Sequence, residues 1–109
     1  MNTNAEMIVI LCNTESEQNA EEIIRQLLNL KLIACGSIIS NTKSIYEWQG
    51  KIEMRNEHTM MLKSFKFHYN KIEDVILEIH TDEVPEIISI PADNVFSKYY
   101  NWAKEICNV

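Results

Sequence analysis

Glycine is nearly absent from this chain of 109 residues: Gly36 and Gly50 are the only two. No glycine-rich loop of the Walker or dinucleotide type can be built from them, so a phosphate cradle of either kind is excluded. Arginine is equally scarce, with Arg25 and Arg55 alone. The prolines are Pro85 and Pro91, which frame one short segment. The three cysteines, Cys12, Cys35 and Cys107, are odd in number and show no C-x-x-C spacing, which speaks against a disulfide framework. A reducing, cytoplasmic setting is the expectation from that usage. No run of about 20 apolar residues is present, so membrane insertion is not expected. The opening "MNTNAE" lacks the basic start and apolar stretch of a signal peptide. Residues 1–6 read as a disordered tail and 7–109 as a single domain. The net charge of −6 argues against nucleic acid as a partner and permits cations as ligands.

What is present is a clear alternation of element types. Met7 to Cys12 is a continuous apolar run, as in a buried central strand. Thr14-x-x-Glu17 matches a capping box. Ala20, Ile23, Ile24, Leu27 and Leu28 follow at helical spacing, and the helix is expected to end near Asn29–Leu30. A second strand is read from Ile33, with a change of phase near Asn41–Ser44 of the kind a β-bulge produces. The third strand runs back from Lys51 to Ser64, with Ile52, Met54, His58, Met60 and Leu62 on one face and Glu53, Glu57 and Lys63 on the other. Tyr69, Ile72, Val75, Ile76 and Ile79 mark a second helix. Glu86 to Pro91 reads as a short strand at an edge. Phe96 to Cys107 forms a last helix, with Asp93 or Asn94 as its N-cap. The order β-α-β-β-α-β plus a final helix is the α+β, ferredoxin-like split βαβ pattern. Right-handed crossovers place Cys12, the hairpin tip and the segment from His80 to Glu86 at one end, with Cys35 at the other.

The second and third strands form a hairpin too long for its own domain. The returning arm alone is roughly 45 Å at ~3.3 Å per residue, against a usual strand of about 5–6 residues. Its projecting end leaves unpaired backbone groups and carries Tyr46 and Trp48 around the turn at Gln49-Gly50. A ring of copies, each hairpin lying across the next subunit, satisfies both the edges and the aromatics. Tyr46, Trp48 and Gly50 are the expected interface residues.

The segment "SIYEWQGKIEMRNE" resembles the signature of the CutA family of divalent-cation tolerance proteins through Ser44, Tyr46, Trp48, Gly50, Lys51, Glu53 and Glu57. "LKLIAC", "MLKS", "HTDEVPEIISIP" and "YYNW" support the likeness, which runs from Met7 to about Ile106. The resemblance implies a ferredoxin-like subunit in a homotrimer joined by extended hairpins, with a non-enzymatic role in divalent-metal tolerance. It implies Cys12, Cys35 and His80 as ligands for copper or another divalent ion, and no organic cofactor. Three positions depart from the pattern: Thr81-Asp82 stands where the family has Pro-Tyr, and Ser37 where it has asparagine.

Thiolate, imidazole and carboxylate can together hold copper or zinc, and the topology collects Cys12, His80, Glu83 and Glu86 at one end. Cys12 and Cys35 should lie about a strand length apart, and both also suit plain packing. Met54, Met60 and Met61 read as filler, and His58 and His68 as surface or interface residues. Lys51, Glu53 and Glu57 are expected beside Glu83 and Glu86 in an inter-subunit cleft, as ion pairs or ligand contacts. The alternative function is a trimeric signalling or scaffold protein like the PII regulators, binding a small anionic ligand or a partner protein in that cleft; the scattered glycines and arginines count against ATP. An acylphosphatase-like activity needs an arginine in an anion-cradling loop, whereas Arg25 falls mid-helix and Arg55 mid-strand. No nucleophile–base pair is supported.

Overall fold

Residues 5–109 are described by the computed structural model. β1 (Met7–Thr14) alternates: Ile8, Ile10, Cys12 and Thr14 are buried, and Val9, Leu11 and Asn13 between them are half-open. α1 (Glu17–Asn29) buries Ala20, Ile23, Ile24 and Leu27, the face its spacing predicts. Its cap differs from the expectation. Thr14 is still paired with His58 in the sheet, so the helix starts later. Ser16 is the N-cap, its Oγ accepting the Asn19 amide at 3.1 Å. The Thr14 hydroxyl donates instead to Asn19 Oδ1 at 2.7 Å.

β2 (Cys35–Trp48) and β3 (Lys51–Phe65) run 14 and 15 residues, so the long hairpin is real. β2 starts two residues after the expected Ile33, which is buried in the approach to it. The turn holds Gln49 at φ 51° and Gly50 at φ 81°. Two successive left-handed residues give the turn whose twist matches the strands it joins. Ile39 faces Thr59 and Thr42 faces Glu57, so Ser40 and Asn41 oppose His58 alone. That is the bulge expected from the phase change, with Asn41 at φ 64°.

A 3₁₀ turn over Lys66–His68 leads into α2 (Tyr69–Ile79). β4 (Ile87–Pro91) starts one residue after Glu86, and α3 (Ser97–Cys107) closes the fold. Neither Asp93 nor Asn94 caps α3. The chain is still extended at Phe96, which takes the cap position without a side-chain bond, so the two polar residues fall too early to reach the first free amides. At the far end Asn108 adopts the left-handed conformation that ends a helix, and His68 Nε2 lies 2.7 Å from the Cys107 carbonyl.

The sheet order is β2-β3-β1-β4 with every neighbour antiparallel, the ferredoxin-like arrangement. α1 and α2 cover one face, packing Ile23, Ile24, Leu27, Ile72 and Ile76 on Ile8, Ile10, Cys12, Met60 and Leu62. At Gly36 the helix sits so close that an added Cβ would lie 2.8 Å from the Ile24 side chain. α3 covers only one end of the opposite face, where Ala103 and Cys107 meet Met7 and Phe65. The rest of that face is open, with Ile88 50% and Ile90 46% exposed. Of the tail expected over 1–6, residues 1–4 lie outside the described residues. The Ala5 carbonyl accepts the Tyr100 hydroxyl at 2.8 Å and the Glu6 carbonyl the Lys66 amide at 2.9 Å.

β1 pairs with β3 only as far as His58, while β2 and β3 stay paired out to Trp48 and Lys51. Beyond His58 the hairpin is therefore a ribbon of two strands. It stretches the molecule to 47 × 26 × 22 Å.

Candidate functional site: an acidic cleft at the root of the hairpin

A cleft of about 600 Å³ opens where the ribbon leaves the sheet. One wall is the ribbon, with Ser44, Tyr46, Trp48, Arg55 and Glu57; the other is the loop after α2, with Asp82, Glu83, Val84 and Glu86. Asn13 at the end of β1 also lines it. One guanidinium thus stands among the carboxylates of Glu57, Asp82, Glu83 and Glu86. Such a surface draws cations and repels anions.

Arg55 is the centre of this wall. Its Nη2 lies 2.6 Å from Asp82 Oδ2 and its Nη1 3.2 Å from Oδ1, a bidentate pair. The same side chain reaches Glu57 Oε2 from Nη2 at 2.6 Å and from Nε at 3.2 Å, and Glu15 Oε2 from Nη1 at 3.5 Å. The bonds to Asp82 and then Glu57 push the guanidinium pKa still higher than its ordinary value. Glu57 is only 6% exposed. Burial alone would raise its pKa, but hydrogen bonds from Ser44 and Arg55 and the Arg55 charge outweigh it and hold the carboxyl below its ordinary value. Of the two roles expected for Glu57, ion pair or ligand contact, the side chain takes the ion pair: Arg55 folds over the carboxylate and covers it.

His80 ends α2. Its Nδ1 accepts the Asp82 amide at 2.9 Å, which leaves Nε2 to carry the proton and donate to the Asn13 carbonyl at 2.7 Å. Both ring nitrogens are occupied by backbone partners. The side-chain Oδ1 of Asn13 is a buried acceptor with no donor among the described residues.

The cysteines do not converge. Cys12 pairs with Met60 and Cys35 with Lys63, three positions along β3, or about 10 Å at ~3.4 Å per residue. An odd separation also puts them on opposite faces of the sheet. Cys12 is fully buried under the helices. Burial first, then the charges of Glu86, Asp82 and Glu57, push its pKa up to about 12. A metal ligand has to be the thiolate, which this environment opposes. Cys35 is half-buried near Lys63, whose Nζ lies 4.0 Å from Sγ and 2.6 Å from Ser37 Oγ. Among the described residues no group of three or more His, Cys, Asp or Glu side chains is placed to hold a metal ion.

Of the residues expected in a cleft, Glu57, Glu83 and Glu86 line this one, together with Tyr46 and Trp48. Lys51, Glu53 and Gly50 are exposed at the tip, apart from it. Arg55 and Asp82 are the site residues that sequence reasoning passed over. Arg55-x-Glu57 puts both side chains on one strand face, which was a usable local signal. The partnership with Asp82, 27 residues away, depends on the loop geometry.

Comparison with known proteins bears on the whole chain. Residues 8–106 match the family described as CutA1 divalent ion tolerance protein. The chain is 30% identical over 97 residues to the divalent-cation tolerance protein CutA of Salmonella newport, covering 89% of this chain and 84% of that one. It is similar to the crystal structure of CutA1 from Shewanella sp. SIB1, with a TM-score of 0.91 and 31% identity over 95% of this chain and 97% of that one. CutA from Xylella fastidiosa gives a TM-score of 0.91 at 26% identity, covering 94% of this chain and 98% of that one. The ferredoxin-like fold, the long hairpin and the match over 8–106 together place this chain in the CutA1 divalent ion tolerance protein family.

Proposed function

We propose that this chain serves divalent-cation tolerance as a non-enzymatic homotrimer whose acidic clefts attract hydrated divalent cations. The observation that carries the reading is the carboxylate excess of the cleft, where Arg55 alone opposes Glu57, Asp82, Glu83 and Glu86. Arg55 already occupies Glu57 and Asp82, so Glu83 and Glu86 are the carboxylates left for a cation. Oxygen donors of this kind do not select copper. Copper held by Cys12, Cys35 and His80 together would require a buried thiol to leave its packing and His80 to give up a backbone bond.

Assembly is supported by two apolar surfaces. Ile88 and Ile90 lie on the open sheet face, and Ile45, Ile52, Met54 and Trp48 on the ribbon. A second copy of the chain is the occupant that covers both at once, and a cyclic arrangement closes the contact. The resemblance to CutA proteins implies a trimer. The acidic lining weighs against the PII-like alternative, because a phosphate-bearing ligand would meet repulsion there. Three free thiols fit a reducing, cytoplasmic location.

Native mass spectrometry with magnesium, zinc and copper tests the reading. The expected species is about 38 kDa, three times the subunit mass of 12.7 kDa, taking up divalent ions that are lost in Glu83→Gln/Glu86→Gln and retained in Cys12→Ser. A trimer that takes up no ion overturns the cation assignment. A monomer overturns the assembly.

A further inference from the structure

A two-stranded ribbon has little stiffness of its own. From His58 to Gly50 the free arm is about 27 Å long at ~3.4 Å per residue, so a tilt of about 10° at the root moves the tip by about 5 Å. An interface packed like a protein interior does not tolerate a shift of that size. The ribbon's direction must be set at its root.

Arg55 stands there, three residues beyond the last β3 residue paired to β1. It belongs to the ribbon and grips the loop: Asp82 in a bidentate pair, with Glu57 held by the same fork. Asp82 is itself anchored, since its amide binds His80 and His80 binds the end of β1. An unbroken line of hydrogen bonds therefore runs from Asn13 through His80 and Asp82 to Arg55 and Glu57. Its parts belong to β1, the loop and the ribbon.

We infer that Arg55 is a positioning residue for assembly, locking the ribbon to the loop at Asp82 so that the ribbon's direction is set before a second copy of the chain docks on it. The inference rests on the homotrimeric reading above. The guanidinium is suited to the task because its donors form a rigid planar fork, whereas a lysine at 55 would keep the charge and lose the two-point grip.

Asp82→Asn and Arg55→Lys test it in the full chain, both chosen to avoid leaving the buried Glu57 without a cation. Hydrogen exchange is followed in residues 51–57 and 81–84, and the subunit dissociation constant is measured by sedimentation. Exchange in both segments should rise together by about tenfold, with α1 and α2 unchanged. The dissociation constant should rise by about tenfold or more. Ribbon exchange that stays at the wild-type level in both variants overturns the lock. A wild-type trimer whose dissociation constant neither variant changes overturns the positioning role alone. A monomeric wild type overturns the assembly reading and the positioning role with it.

Discussion

The imidazole of His80 donates through Nε2 to the backbone carbonyl of Asn13 at 2.7 Å, joining the end of α2 to the end of β1 across 67 residues of sequence. The opposite ring nitrogen accepts the Asp82 amide at 2.9 Å, so the ring spans three segments of backbone. Removing it orphans a carbonyl and an amide beside the cleft. His80→Ala should cost about 2 kcal/mol, read as a fall in thermal midpoint of roughly 4–8 °C per kcal/mol at fixed protein concentration. Copper uptake by native mass spectrometry should not change, because neither ring nitrogen is free in the wild type.

Thiol reactivity separates the three cysteines. Burial pushes Cys12 up to about 12 and Cys107 up to about 11, while Cys35 is partly open. Iodoacetamide at neutral to mildly alkaline pH should label Cys35 alone in the folded protein, with Cys12 and Cys107 reacting only in denaturant. Intact mass gives the count directly, and native labelling of Cys12 would overturn its placement in the core.

The acid limb of the stability curve should report Glu57. Its folded pKa lies below the ordinary value of 4.5, so the unfolded chain takes up the proton first. The contribution is complete above pH 4.5 and fades as pH falls through the folded value. Glu57→Gln should flatten denaturant midpoints between neutral pH and pH 3 relative to wild type. The alkaline limb has the opposite sign. Cys12 stays protonated in the fold while an unfolded thiol ionises near 9, so stability is complete below that pH and lost towards 12. Cys12→Ala should reduce that alkaline loss.

Interface residues should act on association more than on the fold. Ile88→Glu places a charge on the open sheet face, where the isolated subunit leaves isoleucine half-exposed. Monomer secondary structure should persist while sedimentation shows loss of the assembled species. Trp48→Ala should weaken association by about 2 kcal/mol, roughly thirtyfold, as expected for an aromatic anchor. If both variants sediment as the wild type does, the apolar surfaces named here are not the contact.

The turn offers a smaller test. Gly50 sits at φ 81° with nothing within 4 Å of an added Cβ, so Gly50→Ala meets only the backbone penalty. About 1 kcal/mol is expected. Gln49→Asn suits the left-handed position better and should stabilise by a few tenths of a kcal/mol. Chemical denaturation measures both.

The scaffold was readable in the sequence because each element carried a local pattern of its own. The unbroken apolar run from Met7 to Cys12 made a strand, Ile23, Ile24 and Leu27 made a helix, and Gln49-Gly50 made a turn. The bulge at Ser40–Asn41 showed through the parity change between Ile39 and Tyr46. Caps were less legible: Thr14 and Ser16 are both capping residues two positions apart, and only the length of the β1–β3 ladder decides between them. The cleft lining was half visible. Glu83 and Glu86 followed from topology, but Arg55 looked like an ordinary strand residue, because its partner Asp82 is brought near by a loop whose path no local pattern encodes. Cys12, Cys35 and His80 suit a metal by residue type. Strand register, which puts the two thiols on opposite faces, decides how they are placed.

The two-residue turn also shapes the order of events in folding. β2 and β3 are neighbours in sequence, so their pairing closes a short loop and has microsecond timescales available to it. β4 must instead find β1 from about 80 residues away, as in Ile8 with Pro91, and non-local pairing of that kind is slow. Ile45, Ile52 and Met54 therefore stand on a formed ribbon while the rest of the sheet is still incomplete. Copies of the chain at high concentration meet through that ribbon early, and refolding yield should fall as protein concentration rises.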